Sequence, residues 1–379
     1  MPLLRRSAIS LLLSITLTGA LSAAADGAKL SPATGQKLDR AIGQALRQTQ
    51  APGAIAGVWV GNRGWKAARG SAVRGAKGRP GLEFHTRIAS VTKTFTGTLI
   101  LQLVDRGRLE LDDTIDRWFP TLKGADKTTV RDLGDMGSGI MSYSANMTFV
   151  NRYLARPKTV WKPSELITAG VRKERLFDPG DGFNYSNTNF IMLGRIVQKV
   201  TGNPIARVMK RRIFNPLKMD ETSYPFTTGL PRPFWNGYTE QAVTGNPLRN
   251  ATHWSPTFAG AAGQIVSTLA DMRRYTRALG TGSLLSPATQ RARLEPNPAS
   301  TQGAREYLFA LGRENGWLAH TGTIPGYNSQ IAYLPEKKIS IVVFTNSDTP
   351  DAQGAGPAPT ILDALAGVVS PDQVPGGSP

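Results

Sequence analysis

The feature that most constrains this chain is the placement of its strand-like runs, which stand at the two ends with helical text between them. Near the start, the run GAIAGVWV at 53–60 is rich in β-branched and small residues, and Gly61-Asn62-Arg63-Gly64 reads as the turn of a hairpin. Near the end, residues 316–321, 327–334 and 339–346 form three further runs, the last two joined through Glu336-Lys337-Lys338. Apolar edges from both ends must be buried together. The pattern therefore predicts an α+β fold: an antiparallel sheet flanked by helices, built from both ends of the chain, with an inserted mostly helical region. Residues 26–106 and 255–369 would form the sheet-containing part, and 107–254 the helical one.

Helical periodicity supports that division. Leu38, Ile42 and Leu46 recur at four-residue spacing within 31–49. A helix is expected from about Ser90 to Arg106, stopped by Gly107, and it is apolar nearly all round, which implies burial. Residues 188–201, 203–214, 267–279 and 360–369 are further helical stretches, whereas 70–86 and 225–256 read as loops and 370–379 as a disordered tail.

The first 25 residues read as a secretory signal. Arg5 and Arg6 precede an apolar run from Ile9 to Leu21, and Ala23-Ala24-Ala25 offers a cleavage site before Asp26. That run is too short to span a bilayer comfortably, so no transmembrane anchor is expected and the product would be periplasmic or secreted. The 379-residue chain has no cysteine, which excludes thiol catalysis and thiolate-held metal. It has three histidines, His85, His253 and His320, far apart in sequence and without an H-E-x-x-H motif, so neither metal nor cofactor is expected. The net charge of +18 is spread along the chain and reads first as a solvated basic surface. Weak attachment to anionic envelope polymers would follow from the same charge, and an exported chain is not expected to meet nucleic acid.

No G-x-S-x-G or Gly-Lys phosphate loop is present. Three short motifs carry the chemistry. Ser90-Val91-Thr92-Lys93 puts a serine and a lysine three apart at a helix start, on one face and within reach of each other. Burial would disfavour the lysine's charge and make it a base, and a helix N-terminus offers positive potential to an oxyanion. Tyr185-Ser186-Asn187 precedes a helix; the tyrosine suits proton transfer and the asparagine suits a substrate amide. His320-Thr321-Gly322-Thr323 ends a strand, where glycine admits a substrate backbone as an added strand. Each motif alone has an ordinary reading as cap, packing or turn; together, each occurring once and in this order, they do not.

At this point the sequence resembles the serine penicillin-recognising superfamily, which contains DD-peptidases, class C β-lactamases and related esterases. The resemblance runs over about 31–350. Within it, PGDGFNYSNTNF (179–190), ADMRRYTRALGTGSLLS (270–286), HTGTIPGY (320–327), APGA (51–54) and LQLVDRGRLELDD (101–113) look most like soluble exported D-alanyl-D-alanine carboxypeptidases. The resemblance implies that Ser90 is acylated and that Lys93 and Tyr185 share the proton work, either being the acylation base. It implies that Asn187 binds the substrate amide, and that the backbone N–H groups of Ser90 and Thr323 form the oxyanion hole. Thr321 and Thr323 would face a substrate carboxylate, with Arg313 as a looser candidate for gripping it, and Trp254 would wall the cleft.

Two departures qualify this. His320 stands where many β-lactamases carry lysine, which lowers the expectation of efficient β-lactam hydrolysis. GDMGSGI (134–140) differs from the family's usual box there and is read as structural. The expected activity is an acyl-enzyme hydrolase of the cell envelope acting on a peptidoglycan stem peptide, with β-lactams as covalent ligands. An esterase or weak β-lactamase is the alternative, and a non-catalytic basic envelope-binding protein is the rival from another class.

Overall fold

A computed structural model describes residues 28–241, 248–351 and 353–376; the expected signal at 1–25 lies outside them. Seven antiparallel strands form one sheet. Their order across it is Arg63–Gly70, Gly53–Val60, Ile339–Thr345, Tyr327–Leu334, Trp317–Ile324, Leu311–Glu314 and Arg305–Leu308. The N-terminal hairpin thus docks on the last strand of the chain, with Ala54 opposite Thr345 and Val60 opposite Ile339.

Both faces of this sheet are covered, which explains why the strands Gly53–Val60, Tyr327–Leu334 and Ile339–Thr345 are buried nearly throughout rather than on alternate residues. In Ile339–Thr345, Ile341 and Val343 enter one core with Leu38, Ile42, Ile361 and Leu365 of the helices Pro32–Gln48 and Pro357–Val369. Val342 and Phe344 face the other way, into the larger core with Phe95, Leu99, Phe190 and Met272. That second core holds the helices Thr92–Val104, Asn187–Thr201 and Leu269–Thr281. The period-two alternation of strand side chains therefore feeds two separate cores.

Some local expectations change. The strands Arg305–Leu308 and Leu311–Glu314 extend the sheet beyond the runs visible in the sequence; they are four residues each, too short to show a pattern. Residues 203–214 are a helix Ile205–Met209 that widens into a π-helical turn at Lys210–Phe214. The tail is not disordered through 376: Trp317 Nε1 donates to the carbonyl of Gln373 at 2.8 Å, and Ser370 is buried. An indole N–H that would otherwise be buried unpaired gives this segment a fixed place. Among the described residues no helix is long and apolar enough to cross a membrane.

Candidate active site

The nucleophile motif is built by a short strand, a strained turn and a helix. Thr86–Arg87 pairs with Val266–Ser267, and the N–H of Ile88 donates to Ile265 at 3.0 Å. Ala89 then adopts φ +48, a left-handed conformation that costs a non-glycine residue about 1 kcal/mol or more. A 3-10 turn over Ala89–Val91 follows, and the α-helix proper begins at Thr92. The carbonyl of Ile88 accepts from the Ser329 hydroxyl at 2.8 Å, so the sheet holds this turn directly. Ser90 is half-buried at its tip.

Lys93 is fully buried, and three oxygens surround its amine. Nζ lies 2.9 Å from Ser90 Oγ, 2.6 Å from Asn187 Oδ1 and 3.1 Å from the carbonyl of Ala262. Desolvation holds its pKa well below the ordinary lysine range. Two of the neighbours, a carbonyl and an amide oxygen, can only accept. They occupy two N–H bonds of a neutral amine and leave its lone pair for the serine hydroxyl.

Asn187 opens the Asn187–Thr201 helix, and its amide is tied at both ends, Oδ1 to Lys93 and Nδ2 to Ser144 Oγ at 2.9 Å. Tyr185, two residues earlier, is 38% exposed; its hydroxyl hydrogen-bonds Ser90, and its ring centroid is 4.8 Å from Lys93 Nζ. Burial of that hydroxyl raises its pKa, so it is protonated at neutral pH.

The third motif lies on the Trp317–Ile324 strand, whose far edge loses its neighbour after Ala319. Gly322 packs against the nucleophile turn: a Cβ there would fall 2.3 Å from the Ile88 carbonyl oxygen and 3.1 Å from Ala89 Cβ. Here the strand and the turn touch backbone to backbone, and only glycine fits. His320 is buried beside it. Burial pushes its pKa down to about 3, so the ring is neutral. Thr321 and Thr323 are exposed and alternate with His320 and Gly322 along the strand. Thr321 borders the same cleft as Tyr185 and His320; Thr323 Oγ1 accepts from Asn328 at 2.9 Å and borders a separate hollow beside Asp348.

Trp254 is 6% exposed, packs edge-to-face on Tyr153, and its carbonyl accepts from the buried Arg87 guanidinium. Arg313 borders the cleft, and its guanidinium pairs with Glu306 at 2.6 Å. The segment 134–140 supports its neighbours: Ser138 Oγ donates to Asn189 at 2.8 Å, and Met136 Sδ accepts from the N–H of Ser186.

Three groups escaped the motif reading: Ser144, the carbonyl of Ala262, and Tyr307, whose hydroxyl is 3.4 Å from His320 Nε2. A backbone carbonyl leaves no mark in a sequence, and the serine and tyrosine lie in no motif.

The model of the beta-lactamase family matches residues 38–366. A penicillin-binding protein of Bacillus subtilis (strain 168) is 24% identical over 69% of this chain, and the match spans only 60% of that relative's length. The chain spans about half the length of another curated relative, protein flp of Staphylococcus aureus (strain N315), at 52%. Among solved structures, a D-stereospecific amidohydrolase from Streptomyces sp. is 28% identical with a TM-score of 0.79, covering 87% of this chain and 98% of its own. D-amino acid amidase from Ochrobactrum anthropi SV3 is 26% identical with a TM-score of 0.77, covering 88% and 99%.

Proposed function

Since the chain belongs to the beta-lactamase family of serine hydrolases, we propose that it cleaves an amide or ester bond on the carboxyl side of a D-residue through an acyl-enzyme on Ser90. The observation that carries this reading is the fully buried Lys93, whose amine meets two obligate acceptors and the Ser90 hydroxyl. In this reading neutral Lys93 takes the serine proton as Ser90 Oγ attacks the carbonyl carbon. Tyr185, kept protonated by burial, hands a proton to the leaving nitrogen or oxygen and regains one from the Lys93 ammonium. The acyl-enzyme is then hydrolysed by water. The rival reading as a non-catalytic envelope-binding protein leaves the burial of Lys93 without a purpose, because burying an amine is costly.

The charge of the site favours a substrate with a neutral leaving side. His320 is uncharged and Arg313 is paired with Glu306, so neither offers a free cation to a terminal carboxylate. That supports a D-amino acid amide or ester, as the names of the two solved neighbours also suggest. A D-alanyl-D-alanine carboxypeptidase is the second reading, favoured by the exposed Thr321 hydroxyl beside the open strand edge.

Intact-protein mass spectrometry after benzylpenicillin tests the nucleophile. Wild type should gain one adduct, and Ser90→Ala and Lys93→Ala should gain none on the same timescale. An adduct on Ser90→Ala at the wild-type rate would overturn the assignment. Turnover of D-alaninamide, a D-alanyl ester and a D-alanyl-D-alanine peptide then ranks the substrate readings.

A further inference from the structure

Beside Tyr185 and His320 a cleft of about 630 Å³ opens round the free edge of the Trp317–Ile324 strand and reaches the C-terminal helix at Asp363. Its charges do not balance. Arg313 pairs with Glu306 at 2.6 Å and Arg305 with Glu314 at 2.8 Å. Asp363 has no lysine or arginine at ion-pair distance among the described residues; it accepts only from the backbone N–H of Gly376, at 3.2 Å. The cleft thus keeps one carboxylate in excess on a chain whose net charge is +18, so composition does not account for it.

A second observation is independent of charge. Gln330 stands opposite Thr321 in the strand register and lines the same cleft. It is 7% exposed, and its Oε1 has no hydrogen-bond partner. A buried acceptor without a donor is costly, and at a residue lining a cleft a ligand can supply that donor.

We propose that this cleft receives a protonated amine of the substrate, with Gln330 Oε1 accepting one of its N–H bonds and Asp363 supplying the uncompensated negative charge. An ammonium group has donors only, which matches a lining whose unused groups are an amide oxygen and a carboxylate. Burial lifts the Asp363 carboxyl to about 6, which leaves it ionised at neutral pH. The proposal rests on Ser90 as the nucleophile, since the cleft meets the catalytic centre at Tyr185 and His320. The amine has two possible sources. It is either the α-ammonium of a single D-residue or the terminal amine of a longer acyl chain, and both present the same chemistry.

Binding is measured by calorimetry in a full-length Ser90→Ala background, which removes turnover. The ligands are D-alaninamide, N-acetyl-D-alaninamide and N-(6-aminohexanoyl)-D-alaninamide. One of the two amines should bind at least about ten-fold tighter than the acetylated ligand, and whichever does identifies the source. Gln330→Leu and Asp363→Asn should each erase most of that advantage without weakening the acetylated ligand. Gln330→Glu, which adds a charge, should preserve or increase it and guards against a loss that is merely structural. Equal affinity for amine and acetylated ligands, or an advantage that survives both Gln330→Leu and Asp363→Asn, would overturn the proposal. Penicillin labelling of the wild-type chain reports separately on Ser90, so a failed nucleophile and a failed amine site give different results.

Discussion

The Nδ1–H of His320 donates to the backbone carbonyl of Thr321 at 2.6 Å, which leaves Nε2 as the acceptor for the Tyr307 hydroxyl, 3.4 Å away. A carbonyl can only accept, so this one contact decides the tautomer. The ring is locked neutral between a carbonyl, a phenol and the neighbouring lysine. Where many β-lactamases carry lysine, this site holds an uncharged ring.

Exchanging that ring for a cation should change which substrates are accepted. His320→Lys is expected to raise the kcat/KM ratio of a D-alanyl-D-alanine peptide over D-alaninamide roughly ten-fold, the worth of one hydrogen bond to a charged group. Arg313→Ala should leave the same ratio unchanged, because the guanidinium already pairs with Glu306. A selective loss of peptide cleavage in Arg313→Ala would show that the ion pair opens for substrate.

His320 also predicts a pH dependence of stability. The folded ring stays neutral until about pH 3, whereas the unfolded imidazole protonates near about 6.5. Between those values the unfolded chain binds more protons, so stability falls as pH drops. The expected contribution is about 1.4 kcal/mol per pH unit. Urea unfolding of wild type and His320→Gln between about pH 4 and pH 7 isolates it. The wild-type slope should be the steeper by that amount, and parallel curves would mean the ring is not held neutral.

Lys93 should set the acid limb of the rate profile. Its pKa is depressed by burial, so the fraction of neutral amine, and with it kcat/KM for an ester, should rise with pH and level off well below about 10.4. Lys93→Arg keeps a cation that cannot deprotonate and should lose on the order of a thousand-fold or more in acylation. Retained acylation in that variant would assign the base to Tyr185 instead.

Gly322→Ala probes the contact between strand and nucleophile turn. A Cβ 2.3 Å from the Ile88 carbonyl oxygen must push the two apart, just before Ala89 and Ser90. A displacement of about 1 Å can cost about a hundred-fold in rate. The penicillin acylation rate should fall by about that factor while the far-ultraviolet circular dichroism spectrum is kept. Wild-type acylation would mean that the turn yields without cost.

What the sequence by itself determined is local or periodic. The i, i+3 spacing of Ser90 and Lys93 put hydroxyl and amine on one helical face, and the contact is 2.9 Å. The apolar runs at 53–60 and 339–346 required a sheet joining both ends, and those strands pair. Only the tertiary structure decided the rest, because it depends on groups brought together from distant parts of the chain. Asn187 reaches Lys93 across 94 positions and the Ala262 carbonyl reaches it across 169, and no spacing rule connects them. The burial of Trp254, the pairing of Arg313 with Glu306 and the neutrality of His320 are likewise set by neighbours. Burial and partner, not residue type, decide whether an indole lines a cleft or whether an arginine or a histidine offers a usable charge.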